Sequence, residues 1–590
     1  MVLWLLTGLP LAAGAALLLV RRATHRVAPV IGIATAVLAV TLAVLAAVGR
    51  PAVSAPLIEG LPVGLAVDGL SAVMVVTIST VLLAVLVYAA GEFGRDEAHS
   101  RFYGLMLLFA GAMLITVTAT NLVTLLMAWE VMGAMSYALI AFWWRETDRA
   151  TSGMIAFLTT RGGDVGLYLA AGAALAGGAL GLDLAGLAGV PGVWRDAVVA
   201  GVVLAALGKS AQLPFSFWLS RAMAGPSPVS ALLHSATMVA AGAYLLLRLQ
   251  PLLAATPWAG PLVAWVGVLT ALALAAVAVA QSDLKQVLAA STCSQIGFMV
   301  LAAGTGAVTA GAGQLVAHAA TKSLLFLGAG AWLTVLGTKQ LGELRGAARR
   351  YPLLGITFTI GALSLAGVPP LSIWLTKDAV LSAALHTSPA LYVMGLAAVV
   401  LSGAYVGRAL GFVWARTPDR AENRASVLSQ VPLPFLAAAS ALLGVVIAPQ
   451  LSLSWWELGL SGLLAVTGVL VALRMRAGTR GLLGNWLGIE SMTRSVIVGP
   501  TLSLATALAR FDDKVVDGGV RAAAATGAAV ARLTNARLEI SLDAVVGWVA
   551  RGSRALGRWA RRPQTGQLHQ YYAQAVVGLV VLAVLLMIVR

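Results

Sequence analysis

Apolar runs of about 18 residues or more recur from one end of this 590-residue chain to the other. In water such runs need a polar coat, and the chain has little to offer. Residues from AVILMFWYC make up 60% of it and charged residues 11%, against roughly a quarter charged in soluble domains. Mean hydropathy is +0.92. A bilayer removes the conflict, provided every backbone N–H and C=O finds its partner within the protein, which in a run of this length means a helix. The expected fold is all-α and polytopic.

The same numbers exclude other classes. One cysteine, Cys293, inside an apolar stretch, leaves no disulfide framework, zinc cluster or cysteine-held iron–sulfur centre within the chain. The net charge of +16 sits in loops between apolar runs, where it sets orientation in a membrane and gives no ground for a nucleic-acid partner. No GxGxxG after a strand and no GxxxxGK[ST] is present, so nucleotide binding has no local support. Met1 to Val20 lacks a basic start and is followed by Arg21 and Arg22; it reads as a first spanning helix, not a signal peptide.

About sixteen transmembrane helices are expected, among them 66–90, 121–144, 151–178, 196–221, 226–249, 311–337 and 353–382. The loops check the count. Arg21, Arg22, Arg26, Arg95, Arg101, Arg145 and Arg149 fall in the first, third and fifth; Lys339, Arg345, Arg349, Arg350, Arg416, Arg420 and Arg424 fall in the eleventh and thirteenth. Loops of the other parity hold little beyond Arg50, Arg195 and Arg248. That alternation places both termini on the non-cytoplasmic side.

The seventh and twelfth helices carry breakers, Gly208-Lys209-Ser210-Ala211-Gln212-Leu213-Pro214 and Gly367-Val368-Pro369-Pro370. The residues after each break match: Pro214-Phe215-Ser216-Phe217-Trp218-Leu219 against Pro370-Leu371-Ser372-Ile373-Trp374-Leu375. Five helices apart means opposite orientation, so two inverted five-helix repeats are expected, helices 4–8 and 9–13. Broken helices at corresponding places in inverted repeats point to an ion pathway near the midplane. The division expected along the chain is 1–101, 102–249, 250–416, 417–485, 486–563 and 564–590. The fifth part carries apolar residues at helical spacing (Leu504, Leu508, Phe511, Val515, then Leu542, Val545, Val549) among many Arg. It reads as a lateral amphipathic helix that Gly518-Gly519 interrupts, and 564–590 as a final span.

Charged groups inside spans are expensive, so each is a candidate site residue. Glu130 lies in the fifth helix, Lys209 in the broken seventh, His234 in the eighth, His318 and Lys322 in the eleventh, and Lys377 and Asp378 past the break of the twelfth. Arg161 and Asp164, three apart, are expected to neutralise each other, and Arg408 to snorkel. For the two histidines, packing and proton transfer both stay open. Of the 39 basic residues six are Lys, at 209, 285, 322, 339, 377 and 514. A chain that writes its surfaces in Arg yet spells Lys inside helices calls for groups that titrate, since Arg keeps its proton and a desolvated Lys can lose it. Glu130 and Lys209 are expected to meet as an ion pair, with His234, Lys322 and Lys377 continuing the path through water.

Together these residues resemble a known family. Trp129-Glu130 with Ser136-Tyr137, Thr160-Arg161-Gly162-Gly163-Asp164, Gly208 to Pro214, Ala224-Gly225-Pro226-Ser227-Pro228 running to His234, Ser282-Asp283-Leu284-Lys285 and Thr376-Lys377-Asp378 are similar to the antiporter-like, proton-pumping membrane subunits of respiratory complex I. Mrp-type cation/proton antiporters and subunits of membrane hydrogenases and inorganic-carbon uptake complexes share them. The lateral segment with Gln564-Thr565-Gly566-Gln567-Leu568 resembles the subunit L branch. The resemblance implies Glu130 and Lys209 as the pair of the inlet half-channel, Lys322 as central relay and Lys377 with Asp378 toward the outlet. It implies a proton-translocating subunit of an NADH:quinone oxidoreductase in a bacterial plasma membrane, with other complex I-type subunits and lipid as partners and no flavin, cluster or other cofactor of its own. An antiporter or carbon-uptake subunit outside any respiratory complex is the alternative. Two positions depart from the family pattern: Arg221, where an acidic residue is usual, and Gln314, one turn before His318, where a second histidine is common.

Overall fold

The computed structural model describes residues 1–20, 24–58, 61–94, 96–416, 424–475 and 481–589; Arg21, Arg22, Arg95 and Arg420 of the basic loops lie outside them. The chain forms two compact units, Met1–Ser491 and Met492–Arg590.

The first unit opens with α1 (Val2–Leu19) and α2 (Ala28–Gly49), followed by α3 (Gly69–Glu92), α4 (His99–Thr118), α5 (Leu122–Ile140) and α6 (Thr147–Ala176). The broken seventh element is α7 (Gly192–Lys209) with α8 (Phe217–Ala222), and the eighth is α9 (Ser227–Ser235) with α10 (Met238–Arg248). Then come α11 (Ala259–Ala280), α12 (Leu284–Gly304), α13 (Val308–Leu336), the broken pair α14 (Pro352–Ala366) and α15 (Ser372–Thr387), α16 (Pro389–Val413), α17 (Pro432–Ile447) and α18 (Trp455–Ala472). Among the described residues, thirteen helices are long and apolar enough to cross a membrane. The expected sixteen included three more, at 151–178, 196–221 and 353–382. Those segments are helical, but α6 carries Arg161 and Asp164 among many small residues, α7 holds Arg195, Asp196 and Lys209 in its eighteen residues, and the break cuts α14 to fifteen.

Both expected breaks are present, and each has an evident chemical cause. Proline supplies no N–H and clashes with the preceding turn. Helix α7 stops at Lys209, Ala211 turns left-handed (φ 51°), and Leu213-Pro214 precedes α8; α14 stops at Ala366, Gly367 takes φ 89°, and Pro369-Pro370 precedes α15. Backbone groups released by a break must find new partners. Trp218 Nε1 donates to the Gly208 carbonyl at 3.0 Å, and Leu213 N donates to Thr270 Oγ1 at 3.2 Å. A third interruption was not expected. The helix read as 226–249 is two pieces that part at Ala236 and Thr237. No proline or glycine marks the place. Thr237 Oγ1 instead donates to the Leu232 carbonyl at 2.6 Å, one of the backbone-capturing bonds by which Ser and Thr disturb a helix.

The all-α expectation also overlooked a small hairpin, β1 (Ala52–Ile58) against antiparallel β2 (Leu61–Ala66), between α2 and α3. Asn121 Nδ2 donates to the Pro62 carbonyl at 2.8 Å and Thr124 Oγ1 accepts from Gly64 N at 3.2 Å, which ties it to the start of α5.

In the second unit the chain from Gly499 runs helically through Gly499–Phe511, Asp517–Leu533 and Ile540–Arg561, joined by wider π-type turns, and Leu568–Ile588 forms a separate apolar helix. Gly518 and Gly519 lie inside a helix and do not interrupt it. Leu504, Leu508, Phe511, Val545 and Val549 are all exposed within this unit.

Candidate functional site

Helices α6 and α7 can approach closely because glycines face each other. A Cβ on Gly166 would stand 2.3 Å from the Gly201 carbonyl oxygen, and one on Gly163 would stand 3.0 Å from Gly208 Cα. Small residues at a helix contact bring the two backbones, and whatever flanks them, together. Here they flank Asp164 and Lys209. Lys209 Nζ donates to Asp164 Oδ2 at 2.9 Å, with the two side chains 0% and 2% exposed. Trp129 Nε1 donates to the other oxygen, Oδ1, at 2.6 Å, and its ring lies 5.3 Å from Nζ. Each carboxylate oxygen thus has a partner, which a buried charge requires.

This corrects the expected Glu130–Lys209 pair. Glu130 pairs with Arg161 and accepts from Tyr168 OH at 2.9 Å, on a partly exposed face of α5 and α6. Successive residues of a helix point about 100° apart. With Trp129 buried at 0% exposure, Glu130 is turned outward. The expected self-neutralising Arg161–Asp164 pair is corrected likewise: the two residues serve different partners on different faces.

Helix α12 gathers the rest. Gln212, in the seventh-helix break, donates to the Cys293 carbonyl at 3.3 Å. Lys322 Nζ donates to the Leu288 carbonyl at 2.9 Å and to Ser291 Oγ. Gln314 Nε2 donates to Gln295 Oε1 at 3.2 Å, and Gln314 Oε1 accepts from Thr376 Oγ1 at 2.6 Å. Lys377 Nζ lies 5.2 Å from the Phe298 ring centroid and donates to the Leu365 carbonyl at 3.2 Å, on the last turn before the second break. Leu288, Ser291, Cys293, Gln295 and Phe298 all belong to one buried helix, and groups from both broken elements are laid along it. The Gln314 amide both donates and accepts, and so makes a hydrogen-bonded connection from α13 to α12 and α15.

His234, at the end of α9, lies between the rings of Trp218 and Phe326, with centroids 6.1 and 6.2 Å away. His234 and His318 are fully buried; among the described residues the His234 ring has no hydrogen-bond partner, while His318 lies in hydrogen-bonding reach of the His234 backbone. His234 is therefore not a satisfied packing histidine. Lys285, at the start of α12, donates to the Gly225 carbonyl at 2.9 Å and lines a cavity of about 500 Å³ that it shares with Glu92, Ser227, Arg149 and Lys339. Glu92 was not singled out from sequence, because it falls just past the expected helix 66–90, where a surface charge is ordinary. Asp378 Oδ1 accepts from Ser461 Oγ at 2.7 Å. Arg408 does not snorkel. It is buried and donates to the carbonyls of Val279 and Gln281 at 2.7 and 2.6 Å, satisfying the open C-terminus of α11.

The family "NADH:quinone oxidoreductase/Mrp antiporter, TM" matches residues 119–402, which hold every one of these site residues apart from the loop and helix partners Glu92, Arg408 and Ser461. A curated relative, NAD(P)H-quinone oxidoreductase subunit 5 of Nephroselmis olivacea, is 33% identical over 527 residues, covering 78% of this chain and 80% of its own. The chain belongs to this family. NAD(P)H-quinone oxidoreductase chain 5 of a Picosynechococcus species is 39% identical across 59% of this chain and 55% of its own; the chain spans about half the length of several such relatives. Among solved structures, respiratory complex I from Thermus thermophilus with bound NADH contains a chain matched at 25% identity and TM-score 0.68, covering 80% of this chain and 100% of that one. The Mrp complex of a Dietzia species contains one matched at 26% identity and TM-score 0.70, covering 100% of this chain and 63% of that one.

Proposed function

We infer that this chain is the proton-translocating, antiporter-like membrane subunit of a complex I-type NAD(P)H:quinone oxidoreductase, with electron transfer carried out in partner subunits. The observation that carries this reading is the line of buried polar groups along α12, which begins at an ion pair beside one broken helix and ends at a lysine beside the other. An ammonium held in place by one carboxylate is stabilised in its charged form. Drawing that carboxylate away destabilises the charge and favours release of a proton. Groups that can donate and accept in turn then lie ahead of it: His234, Ser291, Lys322, Gln314, Thr376 and Lys377. A conformational change driven elsewhere in an assembly needs only to alter the Asp164–Lys209 contact to move the proton, because coupling is the difference in affinity between two states.

In this reading the chain crosses about sixteen times, and helices 4–8 and 9–13 form two inverted five-helix repeats, 102–249 and 250–416. The Arg-bearing loops face the cytoplasm of a bacterial cell and both termini face away from it. The segment 486–563 then lies along the membrane surface as a brace. The match of the whole chain to a subunit of an Mrp complex supports a second reading, cation/proton exchange without electron transfer. Vesicles holding the purified native assembly separate the two. Acidification that requires NADH and quinone is the expected result. Exchange of Na⁺ or K⁺ for H⁺ in the absence of any electron donor would establish the second reading instead.

A further inference from the structure

Helix α18 begins with two tryptophans that are 88% and 58% exposed, Trp455 and Trp456, followed at once by Glu457 at 4%. Exposed tryptophans mark the level at which a span meets water, so Glu457 is a buried acid within one turn of the interface. Ser461, one turn further on, donates to Asp378 Oδ1 at 2.7 Å. Residues four apart share a helix face. Glu457 therefore stands on the face that α18 turns toward Asp378 and α15. Trp374 of α15 fixes that approach by donating to the Leu458 carbonyl at 3.0 Å. Tyr392 of α16, its ring centroid 6.4 Å from that of Trp456, lies within electrostatic reach of both acids. Asp378 Oδ2, Glu457 Oε2 and Tyr392 OH are buried, and among the described residues none has a hydrogen-bond partner. Lys377 does not neutralise them, because its ammonium is directed to the Leu365 carbonyl and the Phe298 ring.

Two buried carboxylates near each other are costly when both are charged, and one proton held by the pair removes that cost. We propose that Asp378 and Glu457 form the proton-release pair of this subunit, with Glu457 the last carboxylate before water on the Trp455–Trp456 side. The proposal rests on the translocation reading of the chain. A proton carried to Asp378 passes to the Glu457 carboxylate, leaving Asp378 ionised. Glu457 then gives the proton to interfacial water and is itself left as the carboxylate. Ser461 and Tyr392 are the neighbours able to hydrogen-bond either form.

The test uses the native assembly carrying Glu457→Gln or Glu457→Asp. With Gln, the rate of proton release should fall by about tenfold or more, and with Asp, which keeps the acid, most of that rate should return. Glu457→Gln releasing protons at the wild-type rate overturns the proposal. An infrared pH titration supplies the second arm. The wild type should show the carbonyl band of a buried carboxylic acid that moves in Glu457→Asp, and the absence of any such movement overturns the pair even if the Gln variant fails to accumulate. The infrared arm needs no pumping. A wild-type assembly that does not acidify therefore counts against the translocation reading, while the band still judges the pair.

Discussion

Lys209 sits at 0% exposure with one carboxylate to hold its charge, so it offers the most direct test of titration at a single residue. Lys209→Ala should abolish donor-driven acidification while the chain still inserts. Lys209→Arg should be nearly as damaging, because the guanidinium keeps its proton; an Arg variant that pumps at the wild-type rate would reduce Lys209 to a counter-ion. Its partner gives a second prediction. Asp164→Asn leaves a buried ammonium unpaired and should cost about 3–5 kcal/mol of stability, whereas Asp164→Asn with Lys209→Met should recover much of it. Glu130→Gln, on the partly exposed face, should cost less than Asp164→Asn. Thermal denaturation of the solubilised assembly ranks the three, and the reverse order would restore the Glu130–Lys209 pairing. The kinds of residue involved were legible in the sequence, since Lys inside spans of an Arg-rich chain stands out. Their pairing was not. It depends on the rotation of α5, set by the burial of Trp129, and on the glycine contact between α6 and α7, neither of which spacing along one helix reveals.

The breaks at Pro214 and Pro369-Pro370 could be read from the chain because proline acts locally. The break at Thr237 could not, because Ser and Thr disturb a helix only when their hydroxyls find the carbonyl of the preceding turn. The hairpin was missed for a related reason, as it is held by Asn121 and Thr124 from a different element. Arg221 illustrates the limit most clearly. Its sign could be flagged as unusual, but its partner lies 269 residues away: Arg221 Nε and Nη2 donate to Glu490 Oε2 and Oε1 at 2.8 and 2.5 Å. This fork joins α8 to the stretch where Gln281 also donates to the carbonyls of Leu483 and Gly484, at 3.3 Å each. At 41% and 27% side-chain exposure the pair is only partly desolvated, so a double-mutant cycle on Arg221→Ala and Glu490→Ala should give a coupling of about 1 kcal/mol. The exchange of Arg221→Glu with Glu490→Arg should keep most of it. A coupling near zero would mean that the peptide contacts of Gln281 alone position 483–490.

At the scale of the molecule, the chain divides where its burial pattern divides. Met1–Ser491 encloses α12 and α13 inside other helices and leaves its apolar outer faces for lipid. Met492–Arg590 exposes nearly all of its side chains within its own unit, including Leu504, Phe511, Val545 and Trp559. A helix that presents apolar residues on one side and Arg on the other, with no core of its own, is stable only against something else. Truncation before Pro500 should therefore leave the first unit inserted and its Asp164–Lys209 pair intact, since Trp129 and the glycines of α6 and α7 that hold the pair all lie within Met1–Ser491. What should fall is the fraction of chains recovered in the native assembly, and the protons moved per electron in whatever assembles. Blue-native electrophoresis measures the first and vesicle acidification the second. If both are normal, the amphipathic segment does no bracing, and its exposed face is accounted for by lipid alone. If insertion itself fails, the first unit depends on the second in a way that its enclosed core does not require.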